Sequence, residues 1–174
     1  MKKLVYLSLG SNLGDRRAHL GSAVERLGAL GTVQAVSSFY ETDPVEFTAQ
    51  PKFLNLAVAL ATEKMPRQLL AATRAIEQEL GRRRGARGDV PKGPRTLDID
   101  IVLFGRSVIE LPGLKVPHPA MHERRFVLEP LAEIAPEVRH PVLKKTMREL
   151  RDALPAGGVR KLPDAEDAMD AKEF

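Results

Sequence analysis

Pro94-Arg95-Thr96-Leu97-Asp98-Ile99-Asp100-Ile101-Val102-Leu103-Phe104 is an apolar, β-branched run broken by two acids. Ile99, Ile101, Val102, Leu103 and Phe104 predict a buried strand. Side chains along a strand alternate between faces, so Asp98 and Asp100 project from the same face. Two carboxylates side by side on a buried strand repel each other and lose water. Unless protonated or paired, they need a cation between or beside them. Hard oxygen ligands with few other protein donors suit Mg²⁺, with phosphate oxygens and water completing the shell. The two positions lie about 6–7 Å apart along a strand, and carboxylates so spaced can converge on two ions about 3.5–4 Å apart. The plainer alternative is a pair of solvated acids at a strand entrance, neutralised by Arg95 or other arginines.

Immediately upstream, residues 81–95 hold five arginines and one lysine among four glycines, which makes a basic loop. Arginine offers a planar fork to phosphate oxygens, and glycine lets a loop close over a ligand. Beside a metal-binding strand, such a loop suits a polyphosphate. Alone it reads equally as a solvated loop or an RNA contact.

Further out, the chain alternates strand and helix patterns. Leu4 to Leu9 predict a first strand. Gly10-Ser11-Asn12-Leu13-Gly14-Asp15 is a turn with Asn or Ser capping a helix that carries Leu20, Val24 and Leu27 and ends at Gly28 and Gly31. Val33 to Glu41 is a second strand and residues 42–52 a loop. Phe53 to Thr62 is a third strand, with Leu54, Leu56, Val58 and Leu60 on one face and Phe53, Asn55, Ala57 and Ala59 on the other. Pro66 starts a helix that Gly81 terminates. Arg106 to Ile109 reads as a short edge strand, and further helices fall within Phe126–Ile134 and near Met147–Ala153. Strand, helix, strand, strand, helix, strand predicts an α+β fold with a ferredoxin-like βαββαβ core. Helices pack on a mainly antiparallel sheet, with additional C-terminal elements. Residues 1–154 are expected to form one domain, and the small, polar stretch 155–174 a mobile tail.

The 174 residues suffice for one domain with a real core. Cysteine is absent, so there is neither a disulfide frame nor a thiolate metal site. No apolar run reaches spanning length and residues 1–10 read as a strand, so a cytoplasmic location is expected, without a membrane partner. A net charge of +4 permits an anionic ligand without demanding nucleic acid.

Other segments carry weaker signals. Gly10 to Gly14 is neither a Walker loop nor a dinucleotide fingerprint. His118, fixed between Pro117 and Pro119, is placed to present a donor, or is simply a hydrogen-bonded surface residue. His19 and His140 read as surface residues. Thr42-Asp43-Pro44-Val45 with Phe53 and Asn55 could line a small polar and aromatic pocket, or be a loop beside a core aromatic.

The ordered set resembles the 6-hydroxymethyl-7,8-dihydropterin pyrophosphokinase family. It comprises Leu9 to Asp15, Ser38-Phe39-Tyr40-Glu41-Thr42, Gln50-Pro51 with Phe53-Leu54-Asn55, Gly81-Arg82 with Arg84, Gly93 to Ile101, and Val116-Pro117-His118-Pro119 with Arg124-Arg125-Phe126. The resemblance implies transfer of the β,γ-diphosphate of ATP to the pterin hydroxymethyl oxygen, with release of AMP. It implies two Mg²⁺ ions on Asp98 and Asp100, and Arg82 and Arg95 acting with these acids in catalysis. It also implies ATP contacts from Glu77, Arg82, Arg84, Arg95, Ile101, His118 and Arg124. Thr42, Asp43, Val45 and Asn55 would hold the pterin edge, with Phe53 and Phe126 on its faces, in a monomer. Three positions depart from some members: Lys92 stands for a Trp, Asp43 for the first of two prolines, and Pro119 for a Tyr. Two rival classes are an RNA-binding module, which would need exposed sheet aromatics, and a Mg²⁺-dependent nucleotide hydrolase, which would need a water-activating base.

Overall fold

The structure is a computed structural model that describes residues 1–43, 51–81 and 96–163. The elements run β1 (Lys3–Ser11), α1 (Arg16–Leu27), β2 (Thr32–Val36), β3 (Tyr40–Thr42), β4 (Phe53–Thr62), α2 (Pro66–Glu79), β5 (Asp98–Phe104), β6 (Ile109–Leu111), β7 (Leu114–Val116), α3 (Arg125–Ile134), α4 (Met147–Asp152) and β8 (Val159–Lys161). The main sheet has the order β5-β1-β4-β3-β8, with β2 also paired to β4, and every pairing is antiparallel. This is the expected ferredoxin-like arrangement, with the first strand between the third and the last of the core.

Strand alternation divides the interior into two layers. Val5, Leu7, Leu9, Leu54, Leu56, Val58 and Leu60 face α1 and α2, where they meet Leu20, Leu27, Leu69 and Ile76. Tyr6, Ala57, Ala59 and Val102 face α3 and α4, against Val127, Leu128, Leu131, Met147 and Leu150. The two faces of β4 are those its sequence predicted. Each fully buried leucine contributes about 1.5–3 kcal/mol through burial.

The structure departs from the sequence reading in several places. Val33 to Glu41 is not one strand. It breaks at Ser37–Phe39 into β2 and β3, which pair with the two ends of β4. The Ser37 hydroxyl accepts from the Ala57 amide (2.8 Å) while the Ser37 amide donates to the Ala57 carbonyl (2.9 Å), so the ladder stays satisfied through the break. The edge strand expected at Arg106–Ile109 lies later, as β6 in a hairpin with β7. Asp15, not Asn12 or Ser11, caps α1, its carboxylate accepting from the Ala18 amide (3.1 Å). Ser11 belongs to β1. Within the stretch 155–174, Val159–Lys161 form β8, which pairs with β3 and widens the sheet.

Two close approaches constrain this frame. Gly31 passes so near β4 that a Cβ would lie 2.2 Å from the Ala61 carbonyl oxygen. Glu133 on α3 accepts from the Tyr40 hydroxyl (2.6 Å) and the Ser38 amide (2.8 Å), and Lys161 lies 3.6 Å away. Burial pushes the Glu133 carboxyl up, but the Tyr40 and Ser38 hydrogen bonds and the Lys161 charge outweigh it, leaving it below its usual value. Gly31→Ala is expected to cost about 1–3 kcal/mol in urea unfolding, since backbone must shift to admit the methyl. Because the folded Glu133 pKa is depressed, its contribution is present above the unfolded carboxyl pKa and lost as pH falls through the folded one. Glu133→Gln is therefore expected to lower stability at neutral pH and to flatten the acid limb of a stability–pH profile.

Candidate active site

The register of four strands assembles the site. Gly10 lies opposite Asp98 on one side and Asn55 on the other, and Asn55 faces Tyr40 in turn. One step along the same face, Ser8 lies between Asp100 and Ala57. Here the face that α3 covers elsewhere opens into a cavity of about 400 Å³. Asp98, Asp100 and Ser8 line one side, and Thr42, Asp43, Asn55, Phe53 and Phe126 another. Arg124 and Arg125, at the start of α3, add positive charge at the rim.

Each wall has a local cause. Asn55 is buried, and its Oδ1 accepts from the Thr42 hydroxyl (2.7 Å). That bond orients the amide so that Nδ2 points toward Gly10, where a Cβ would lie only 2.8 Å from it. Glycine at 10 thus gives the Asn55 donor room. Asp98 is half-buried and Asp100 exposed, so the acids stand at the open mouth of the strand, which is buried from Ile101 to Phe104. The two carboxylates converge on one cavity as their alternation predicts, but neither is buried as their apolar neighbours predict. Two carboxylates and the Ser8 hydroxyl are hard oxygen donors, a set that fits Mg²⁺. No cluster of three or more acidic or imidazole side chains stands ready for a metal among the described residues. Ligand and water oxygens would have to complete the shell.

Thr42, Asp43, Phe53, Asn55, Asp98, Asp100, Arg124 and Phe126, all expected from the sequence, line this one cavity. The Arg124 guanidinium sits 5.7 Å from the Phe126 ring centroid. Glu77 and Ile101 do not line it. Ile101 packs in the layer under α1 and α2. Glu77 is buried, and its carboxylate accepts from the Ile99 amide (2.9 Å) on the outer edge of β5, holding the acid-bearing strand against α2. His118 lines a second cavity of about 300 Å³ with His122 and His140. Its Nδ1 accepts from the Ala120 amide (3.2 Å), leaving Nε2 to carry the proton. Burial, then the Arg124 charge, hold His118 below its ordinary pKa, so it is neutral at neutral pH. His140 is buried, contrary to expectation, because its Nδ1 accepts from the Val142 and Leu143 amides (3.2 and 3.0 Å) and pins a turn. Val45, Arg82, Arg84 and Arg95 lie outside the described residues. Gly81 and Thr96 themselves lie close together: a Cβ on Gly81 would lie 2.9 Å from Thr96 Cγ2, two residues before Asp98.

Sequence reasoning missed Ser8, Gly10, Glu123, Arg125 and Gly157–Val159. The first two had a signal, since small residues alternate with Leu7 and Leu9 on β1. Gly157, Gly158 and Val159 had none, because they reach the cavity only through the pairing of β8.

The fold and cavity define a class: an α+β protein in which a carboxylate pair, a buried Asn–Thr pair and two phenylalanines line one cavity. Residues 6–136 match the model of the 7,8-dihydro-6-hydroxymethylpterin-pyrophosphokinase family, and the chain belongs to that family. It is 52% identical over 140 residues to the 2-amino-4-hydroxy-6-hydroxymethyldihydropteridine pyrophosphokinase of Bacillus subtilis, covering 79% of this chain and 81% of that one. With the Pseudomonas aeruginosa protein of the same name the identity is 44% over 167 residues, covering 95% and 100%. A crystal structure of Plasmodium falciparum HPPK-DHPS with pteroate superposes with a TM-score of 0.69 at 17% identity, covering 87% of this chain and 42% of that one. That likeness supports the fold alone, and this chain spans less than half of that longer protein.

Gly10→Ala is expected to displace the Asn55 amide. The Asn55 side-chain NH₂ resonances should move in an NMR spectrum, and the Michaelis constant for the ring-bearing substrate should rise about tenfold or more.

Proposed function

We propose that the cavity at the open end of the sheet is where the family's reaction runs. The chain is an ATP-dependent diphosphotransferase of folate biosynthesis, transferring the β,γ-diphosphate of ATP to 6-hydroxymethyl-7,8-dihydropterin. The hydroxymethyl oxygen bonds to the β-phosphorus as the bond from that phosphorus to the α,β-bridging oxygen breaks. AMP leaves with the bridging oxygen, and the hydroxyl proton passes to solvent. The observation that carries the assignment is the shared cavity: an acid pair and a ring slot open on the same space.

On this reading Asn55, Thr42, Asp43 and Val45 hold the ring edge, and Phe53 and Phe126 cover its faces. Asp98 and Asp100 hold Mg²⁺, two ions in our assignment. Mg²⁺ held by these two carboxylates would supply neutralisation of the phosphate charge and acidify the attacking alcohol. Arg82, Arg84 and Arg95 are assigned to the phosphates, as the family resemblance implies. Arg124 approaches the nucleotide from the α3 side. His118, neutral with its proton on Nε2, is assigned as a donor to the nucleotide. Glu77 and Ile101 are assigned to the nucleotide side indirectly: one fixes the edge of β5 and the other seats it in the core. Positioning and electrostatics, rather than a dedicated base, supply the rate. No helix among the described residues is long and apolar enough to cross a membrane. We assign the enzyme to the cytoplasm as a monomer.

The test is AMP release from ATP and Mg²⁺ with and without 6-hydroxymethyl-7,8-dihydropterin. Pterin-dependent AMP is expected, and ADP or a pterin-independent product would overturn the reading. Asp98→Ala and Asp100→Ala should each lower turnover by at least about 10²-fold while leaving thermal unfolding nearly unchanged. Near-normal turnover in both would remove the acids from the site.

A further inference from the structure

Beyond residue 136, where the family match ends, the chain returns to the cavity. Gly157, Gly158 and Val159 line it beside Thr42 and Asp43. Val159 pairs with Thr42 in the β3–β8 ladder, and one step further the Asp43 amide donates to the Gly158 carbonyl (2.9 Å). Asp43 can do this only because it carries an N–H, which an imino residue lacks. Gly157 and Gly158 have φ of 117° and 79°, a region L side chains rarely adopt, and a Cβ on either would meet nothing within 4 Å. They are therefore glycines for backbone conformation, not for want of space.

The segment leading into these glycines is tied down from within the site. Arg125, between Arg124 and Phe126, donates through Nη1 to the Leu154 and Pro155 carbonyls (both 3.1 Å), with the Arg151 carbonyl at 3.5 Å. Its Nη2 pairs with Glu129 at 2.6 Å. Arg125 thus spends its donors on backbone and on its own helix. It is the charge at the rim least available to a phosphate. At the other end of the segment, Arg160 is ion-paired with Glu41, which also holds Arg16 (3.0 Å).

We propose that Gly157–Val159 is a wall of the pterin slot, and that Arg125 and Gly158 are positioning residues that fix the Thr42–Asp43 edge against which the ring binds. The proposal rests on the reading that pterin occupies this cavity. Arg125 and the Asp43–Gly158 bond hold this wall at the end of the β3–β8 ladder that meets the cavity and so set the slot's width; loosening it there should weaken pterin binding and leave the nucleotide side alone.

The test uses three variants of the full chain. Arg125→Met removes the clasp but keeps an apolar stem. Gly158→Val forces a β-branched residue into positive φ, and Gly158→Asn supplies the side chain that tolerates such φ best. Arg125→Met and Gly158→Val should raise the pterin KM about tenfold, with the ATP KM within about twofold, and Gly158→Asn should raise the pterin KM less than Gly158→Val does. Hydrogen exchange of the Asp43 amide should accelerate in the first two and not in the third. Faster Asp43 exchange with an unchanged pterin KM would overturn the proposal, as would equal loss of both KM values. Unchanged exchange in Arg125→Met would overturn its clasp. Either of the two loosening variants suffices if the other fails to fold. Asn55→Ala separates the two levels of argument. If it raises the pterin KM while the wall variants do not, only the wall fails. If wild-type AMP release ignores pterin, the functional reading itself fails.

Discussion

The antiparallel ladder that sets β1 between β4 and β5 is the constraint the rest of the molecule obeys. Because side chains alternate along a strand, a slip of one residue in either pairing would turn Asp98 or Asn55 into the leucine-rich layer under α1 and α2. The register observed puts Asp98, Gly10 and Asn55 in a single row on the opposite face. The leucines of β1 and β4 enforce that register, since their burial is lost in any other. Packing on one face of the sheet thereby fixes chemistry on the other.

The edges of the sheet are managed as carefully as its centre. β5 is an outer strand, and unpaired edge groups invite pairing with other chains. Glu77 takes the Ile99 amide, and the His118 amide donates to the Val102 carbonyl (3.0 Å). Two residues that the family resemblance assigns to the nucleotide therefore also finish the edge of the strand that carries the acids. A buried carboxylate bound to a backbone amide is costly to disturb, so the position of β5 is stiff where precision matters. At the other side of the sheet, Glu133 does the same for the turn between β2 and β3.

Much of this was legible in the sequence, and the reasons are local. The alternation in Phe53–Thr62 gave both faces of β4. Pro66 and Gly81 bracketed α2, and Asp-Ile-Asp placed two carboxylates on one face. What escaped was whatever depends on partners distant in the chain. The break at Ser37–Phe39 follows from a hydroxyl that substitutes for a ladder bond with Ala57, and nothing in Val33–Glu41 announces it. His140 is polar and flanked by proline, yet it is buried because two amides of the next turn close on its ring nitrogen. Their apolar neighbours predict buried acids, but the sheet face empties of large side chains at Ser8 and Gly10. Burial there is decided by β1, not β5. Arg125 read as one more basic residue of a motif, and only the fold reveals that its donors point to backbone.

The pairing of β8 with β3 also bears on how the chain acquires its shape. Glu41 and Arg160 are 119 positions apart, so the contact between them closes one of the longest loops in the molecule. Such contacts form late, because the entropy of bringing distant segments together is lost before any bond repays it. Synthesis proceeds from the N-terminus, so β1 and β4 are available to pair well before β8 exists. A nascent chain can thus hold the acid pair and the amide slot in register while this outer strand is still missing. Synthesis alone makes β8 the last of the described strands to become available to the sheet.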